Sequence, residues 1–206
     1  MYTVFRGFIL LLIVVVAAFA STTNAETAPQ IPLPKLATDR FGKLSLAEEM
    51  LARAVANGET ADRSELSGED RIIRGELLSW LCTNPDATAR VTYRGISISG
   101  AQIIKETNLE WAKIPFPLSL VECVFLDVIF LNHGHIAALD LSGSSVPALD
   151  ANAIRCDGDV DLRFGAIGTL ALRAAKIDGN VSRQSERLVV RIRYHPRRRS
   201  PRVRSK

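Results

Sequence analysis

From Ile96 to Ile177 the chain keeps one rhythm. Apolar residues recur at Ile98, Ile103, Leu109, Ile114, Leu120, Phe125, Leu131 and Ile136, and then at Leu141, Val146, Ala151, Cys156, Leu162, Ile167, Leu172 and Ile177. Each step is five or six residues, and all sixteen positions are apolar, which a chain of 47% hydrophobic composition does not produce by chance. A second series lies two residues earlier: Ile96, Ala101, Thr107, Ala112, Leu118, Cys123, Ile129, Gly134, Leu139, Ser144, Leu149, Ile154, Val160, Gly165, Leu170 and Ala175. Small residues take every second place in this series, except at Thr107 and Ile154. Two inward positions separated by one outward position is the local pattern of a strand. A turn every five or six residues is too short a period for a helix and too regular for a sandwich. Repetition of this kind marks a stacked, mainly β architecture.

The pattern before the repeat is helical. Ser45-Leu46-Ala47-Glu48 has the form of a capping box, with Ser45 as N-cap. The run to Asn57 places Met50, Leu51, Ala54 and Val55 near one face, and Gly58 is a natural stop. A second helix is expected from near Ser67, with Glu69 and Asp70 in its first turn and Ile72, Ile73, Leu77, Trp80 and Leu81 at helical spacing. Asn84-Pro85 ends it, and Trp80 reads as a core residue. Upstream, Pro29, Pro32 and Pro34 mark an extended linker. At the N-terminus, Arg6, an unbroken apolar run from Phe8 to Ala20, and small residues before a cut after Ala25 form the three-part pattern of an export signal. The run is short for a bilayer span, so cleavage is favoured over an uncleaved anchor. The segments expected are therefore 1–25 signal, 26–44 linker, 45–93 helical cap, 94–182 repeat and 183–206 tail.

Gly100-Ala101-Gln102-Ile103, Trp111-Ala112-Lys113-Ile114, Leu139-Asp140-Leu141-Ser142-Gly143 and Ala174-Ala175-Lys176-Ile177 each set a residue two places before a central apolar one, in three of them the small alanine. This grammar resembles that of the pentapeptide-repeat family, and more closely a group of uncharacterised bacterial repeat proteins with degenerate repeats and a short helical N-terminal region. The resemblance covers about residues 45–182. It implies a right-handed four-sided β-solenoid, in which four steps make one coil, the sixteen steps make four coils of about 21 residues, and the strand spacing of roughly 4.8 Å makes the rod ~20 Å long; it brings no catalytic residues with it.

Charge changes the picture only at one end. Residues 183–206 hold nine Arg and one Lys against one Glu, and the rest of the chain carries 16 basic against 21 acidic groups. The body is mildly acidic and the tail alone makes the protein basic. In that tail Leu188, Val190, Ile192 and Tyr194 alternate with Val189, Arg191 and Arg193, and a basic cluster of Arg197, Arg198, Arg199, Arg202 and Arg204 follows, of a composition expected to be disordered. Such a cluster attracts phosphate-bearing lipid or polymer in a salt-dependent way.

The repeat register also predicts outward columns. One holds Lys113, His135, Arg155 and Lys176, a basic ladder and the candidate site for an anionic partner; another holds Ser97, Ser119, Asp140 and Asp161. Like charges about 5 Å apart in water repel by roughly 0.8 kcal/mol per pair, which an anion relieves. His133-Gly134-His135 has the look of a metal pair, and the register turns both histidines outward with His133 beside Trp111 and Ala153, but neighbouring cations oppose metal binding and no third ligand is placed nearby. Asp157-Gly158-Asp159-Val160-Asp161 lacks the glycine and the final glutamate of a calcium loop. Cys82, Cys123 and Cys156 form no CxxC, and Cys123 and Cys156 read as buried thiols. No metal or other cofactor is expected.

Function follows by class. The chain has neither G-x-S-x-G nor G-x-G-x-x-G, and a filled solenoid has no concave pocket for turnover, so no enzyme is expected. The expectation is an exported scaffold or interaction protein of the bacterial envelope, periplasmic or secreted. Its partner is a protein or an anionic envelope component, with peripheral membrane contact and end-to-end self-association as further expectations. The alternative is a pentapeptide-repeat protein that binds a nucleic-acid enzyme, or an anionic polymer or lipid, through charged faces and the tail. Direct nucleic-acid binding is not expected of an exported chain.

Overall fold

A computed structural model describes residues 31–183. These residues form a four-sided β-solenoid preceded by helices, as the repeat predicts. The first side stacks Thr60–Asp62, Ile96–Ser99, Leu118–Val121, Leu139–Asp140, Val160–Asp161 and Val181–Ser182 in that order. The second stacks Ile72–Arg74, Gln102–Ile104 and Val124–Phe125; the third begins with Thr107–Asn108 and Ile129–Phe130. The six-residue strands Ser145–Asp150 and Ala166–Ala171 run across both of these sides without a break. The fourth side stacks Lys113–Ile114, His135–Ile136, Arg155–Cys156 and Lys176–Ile177. Every pairing is parallel, as a coil that always advances in one direction requires. Partners such as Lys113 and His135, or His135 and Arg155, fix coils of 20 to 22 residues.

The apolar series fills the interior. Fourteen of its sixteen members are buried, and Leu172 and Ile177, in the last described coil, are partly buried. The size alternation of the second series has a local cause. Two corners of each coil turn through a residue in the left-handed region: Trp111, His133, Ala153 and Ala174 at one, and Gly100, Glu122, Gly143 and Phe164 at the other. The small residue always follows that corner residue, with Ile154 as the exception. A side chain there is crowded by the backbone of its own corner or of the preceding coil. A Cβ on Gly134 would sit 3.1 Å from the Leu131 carbonyl oxygen, and one on Gly165 would sit 2.9 Å from that of Ser144. Ser144 itself is fully buried and satisfies two backbone groups: its hydroxyl donates to the Leu120 carbonyl at 2.6 Å and accepts from the Cys123 N–H at 2.9 Å.

The segment before the repeat differs from expectation in three places. The proline segment contains helix α1, Leu33–Phe41. Pro34 lies in its first turn, where a backbone N–H has no helical partner to lose, and Leu33 and Ala37 are buried. Helix α2, Leu46–Asn57, has the expected capping box at Ser45 and Glu48 and stops at Gly58 in the left-handed region. Its buried face, however, includes Glu48, while Met50 is 38% exposed. The second helix begins late: Ile72–Arg74 is a strand paired with Gln102–Ile104, and α3 spans Gly75–Thr83. Backbone pairing with the first coil outweighs the helical spacing of Ile72 and Ile73. The cap is thus an incomplete coil. Thr60–Asp62 and Ile72–Arg74 supply its first two sides, and α3 continues under the first full coil, where the Ser79 hydroxyl accepts from the Asn108 N–H at 2.9 Å.

One buried ion pair ties the helices to this strand. The Glu48 carboxylate is 2% exposed and accepts from Arg74 Nε and Nη2, each at 2.7 Å, and from the backbone N–H groups of Ser45 and Arg74, each at 3.0 Å. Burial alone would raise its pKa; the Arg74 guanidinium and the two N–H groups prevail and hold it below the ordinary value. Phe41 packs edge-on against Trp80, whose place in the core matches the sequence reading, and beneath the Arg74 guanidinium.

Candidate interaction surfaces

The predicted basic ladder exists as a column. His135 pairs with Lys113 on one side and Arg155 on the other, and Arg155 pairs with Lys176. It is not a uniform strip of positive charge. His135 Nε2 lies 2.8 and 2.9 Å from the two carboxylate oxygens of Asp157, and Lys176 Nζ lies 3.2 Å from Asp178. These two acids stand two residues beyond a ladder position; the sequence reading weighed Asp157 only as part of a calcium-like segment and did not set either acid against the ladder. Lys113 and Arg155 make no ion pair among the described residues. The polar column also forms as predicted, through the pairs Ser97–Ser119, Ser119–Asp140 and Asp140–Asp161. Arg163 binds Asp161, Nη2 to Oδ2 at 2.6 Å, and holds that carboxyl below the usual range.

Beside the ladder runs the left-handed corner. The Trp111 indole stacks on the His133 imidazole with centroids 4.0 Å apart and planes 8° from parallel. The sequence register had set these two side by side, but not how far the indole stands out. Trp111 is 73% exposed. The next column outward is Glu110, Asn132, Asn152 and Arg173. Asn132 donates from its amide to Glu110 at 2.7 Å and accepts from the Asn152 N–H at 2.9 Å, and Asn152 accepts from the Arg173 N–H at 3.0 Å. Each side-chain amide ties one coil to the next.

The second side carries a surface that sequence reasoning passed over. Val124 and Leu126 point outward at 38% and 55% exposure, and Pro147 is exposed one coil on. The signal was present in the outward register, because the residue before Phe125 and the residue after it are both apolar.

The other candidates are used internally. The acids of the calcium-like segment point to separate partners: Asp157 to His135, Asp159 to the Asn180 N–H at 2.6 Å, and Asp161 to Arg163. Among the described residues no three His, Cys, Asp or Glu side chains gather as a metal site would need. Cys82, Cys123 and Cys156 are free and buried. Burial pushes the Cys82 thiol up to about 12 and the Cys123 thiol to about 11, so neither is a thiolate nucleophile at neutral pH.

Comparison with protein-family models, curated proteins and solved structures finds no match to this chain. The solenoid therefore rests on the coil pairing itself. The export signal at 1–25 and the tail arginines Arg197, Arg198, Arg199, Arg202 and Arg204 lie outside the described residues, and no helix among the described residues is long and apolar enough to cross a membrane.

Proposed function

We infer that this protein is an exported, non-enzymatic scaffold or interaction protein of the bacterial cell envelope. The observation that supports this most is the outward apolar strip of the second side, Val124 and Leu126, on a sheet whose backbone is already paired through the stacked coils. Apolar side chains held rigidly in solvent suit a partner surface, because their geometry is fixed before binding and little entropy is lost. The interior is packed with apolar side chains, and the chemistry-bearing residues stand on outer columns. The export pattern of residues 1–25 supplies the address.

Photo-crosslinking from position 126 in the native cell tests this reading. The expected result is a discrete adduct in the envelope fraction that disappears when Val124→Lys is added, with the β-type circular dichroism spectrum unchanged. A protein found only in the cytoplasm, or adducts insensitive to Val124→Lys, would sink it.

A second reading is contact with an anionic envelope polymer or lipid, supported by Lys113 and Arg155, which make no ion pair among the described residues. The nucleic-acid-enzyme alternative has less support. It needs a strongly acidic face, and the column holding Asp140 and Asp161 continues as Ser119, Ser97 and Thr60. End-to-end association remains part of the proposal: among the described residues, the outer edge of Val181–Ser182 has no partner strand, and such edges accept another chain.

A further inference from the structure

Among the described residues, Trp111 is the most exposed aromatic side chain that also stacks on another ring. It contributes little to the core at 73% exposure, and its backbone sits at φ +60°, in the left-handed region that bulky residues avoid. The equivalent corner positions one and two coils beyond His133 are alanines, so the corner itself does not call for an aromatic residue. His133 covers one face of the indole, and at 73% exposure most of the remaining ring surface meets solvent. A flat apolar ring face bordered by polar groups is suited to the C–H face of a sugar ring.

The surrounding chemistry narrows the class. On one flank stand the amides and carboxylate of Asn132, Asn152 and Glu110. On the other stand Lys113 and Arg155, two strand spacings or about 10 Å apart, with no carboxylate partner among the described residues. Between those cations His135 is held by Asp157. The carboxylates Glu110, Asp157 and Asp178 repel a dense anionic layer such as a phospholipid surface. They also accept hydrogen bonds from hydroxyl groups. A ligand with spaced carboxylates, many hydroxyls and flat C–H faces meets all of these groups at once.

We propose that the edge carrying Trp111, His133, Lys113 and Arg155 binds an acidic, uronate-bearing polysaccharide. One sugar ring lies on the open face of the Trp111 indole, and carboxylates of the strand meet Lys113 and Arg155 as it runs along the rod axis. This deepens the reading of the chain as an envelope interaction protein and rests on it, but it uses a different surface from the Val124 and Leu126 strip.

The test is binding of the purified full chain to alginate, with dextran, polyphosphate and phosphatidylglycerol vesicles as comparison probes. Alginate is expected to bind, to weaken as salt rises, and to change the tryptophan fluorescence. Trp111→Phe, which leaves only the core residue Trp80, should abolish that fluorescence change. Trp111→Ala should weaken alginate binding at least tenfold, and Lys113→Gln with Arg155→Gln should weaken it and flatten its salt dependence. Dextran, polyphosphate and vesicles are expected to bind at least tenfold more weakly and to be indifferent to Trp111→Ala. The proposal is overturned if Trp111→Ala binds alginate as the unaltered chain does, if polyphosphate or vesicles bind as tightly as alginate, or if alginate does not bind at low salt. Any of these outcomes leaves the crosslinking result at position 126 untouched, so the two readings fail separately.

Discussion

At the scale of single residues, the buried Glu48 shows how one side chain joins three local decisions. It completes the capping box of α2, accepts the backbone N–H of Arg74, and pairs with the Arg74 guanidinium. Removing one partner of such a pair leaves the other charge poorly compensated, which costs about 3 kcal/mol. Because the folded carboxyl titrates below its ordinary value, the pair stabilises the protein above the unfolded pKa, and that stability is lost as pH falls through the folded one. Glu48→Gln should therefore destabilise the chain at neutral pH, and its difference from the unaltered protein should shrink in acid, below the ordinary carboxylate value of 4.5. Urea unfolding at the two pH values reads this directly; a pH-independent difference would mean that the charge is not what matters. The capping box was legible in the sequence. The Arg74 partner was not, because it lies 26 residues away and is brought there by a strand that reads as helix.

At the scale of elements, short strands of two to six residues hold because they stack, the inner ones paired above and below and the end ones on one side, and pack apolar residues into the interior. Leu141 is fully buried at the centre of such a stack. A carboxylate there has no hydrogen-bonding partner, and its burial costs several kcal/mol. Leu141→Asp is expected to abolish the β-type circular dichroism spectrum, whereas Lys113→Ala on an outer column should change stability by less than about 0.5 kcal/mol. A folded Leu141→Asp protein would disprove the inward register. The same scale explains the main misreading of the sequence. Ile72 and Ile73 carry a helical spacing with Leu77 and Leu81, but β-branched residues also suit a strand, and the edge of Gln102–Ile104 supplies it with backbone partners. Local periodicity cannot weigh a partner that arrives from elsewhere in the chain.

At the scale of the whole molecule, a stacked rod is stabilised coil by coil, each coil by its neighbours. The N-terminal coil is covered by the strand Ile72–Arg74 and by α3, while in the last described coil Leu172 and Ile177 stay partly exposed. Native-state amide exchange should therefore be slowest in Leu118–Val121 and Leu139–Asp140 and fastest in Lys176–Ile177 and Val181–Ser182. Equal protection along the rod would show that the last coil is covered, by residues 184–206 or by a second chain. Charge at this scale also departs from a single-column reading. The ladder reads as uniformly basic along one column, and the adjoining column makes it a mixed surface through Asp157 and Asp178.

The sequence by itself determined the coil. A five-to-six-residue apolar period with a small residue after alternate corners admits one way of burying its apolar side, and it placed the inward residues, the outward columns and the neighbours Trp111 and His133. It determined the α2 cap and stop as well, since those depend on residues within one turn. Only the tertiary structure decided what the segment before the repeat becomes, which acids reach the ladder, and how far Trp111 and Leu126 stand in solvent. Apart from Asp178, which meets Lys176 two positions away, these depend on contacts between residues about twenty or more positions apart, or on the surface left over once those contacts are made, and neither quantity is written in a local pattern.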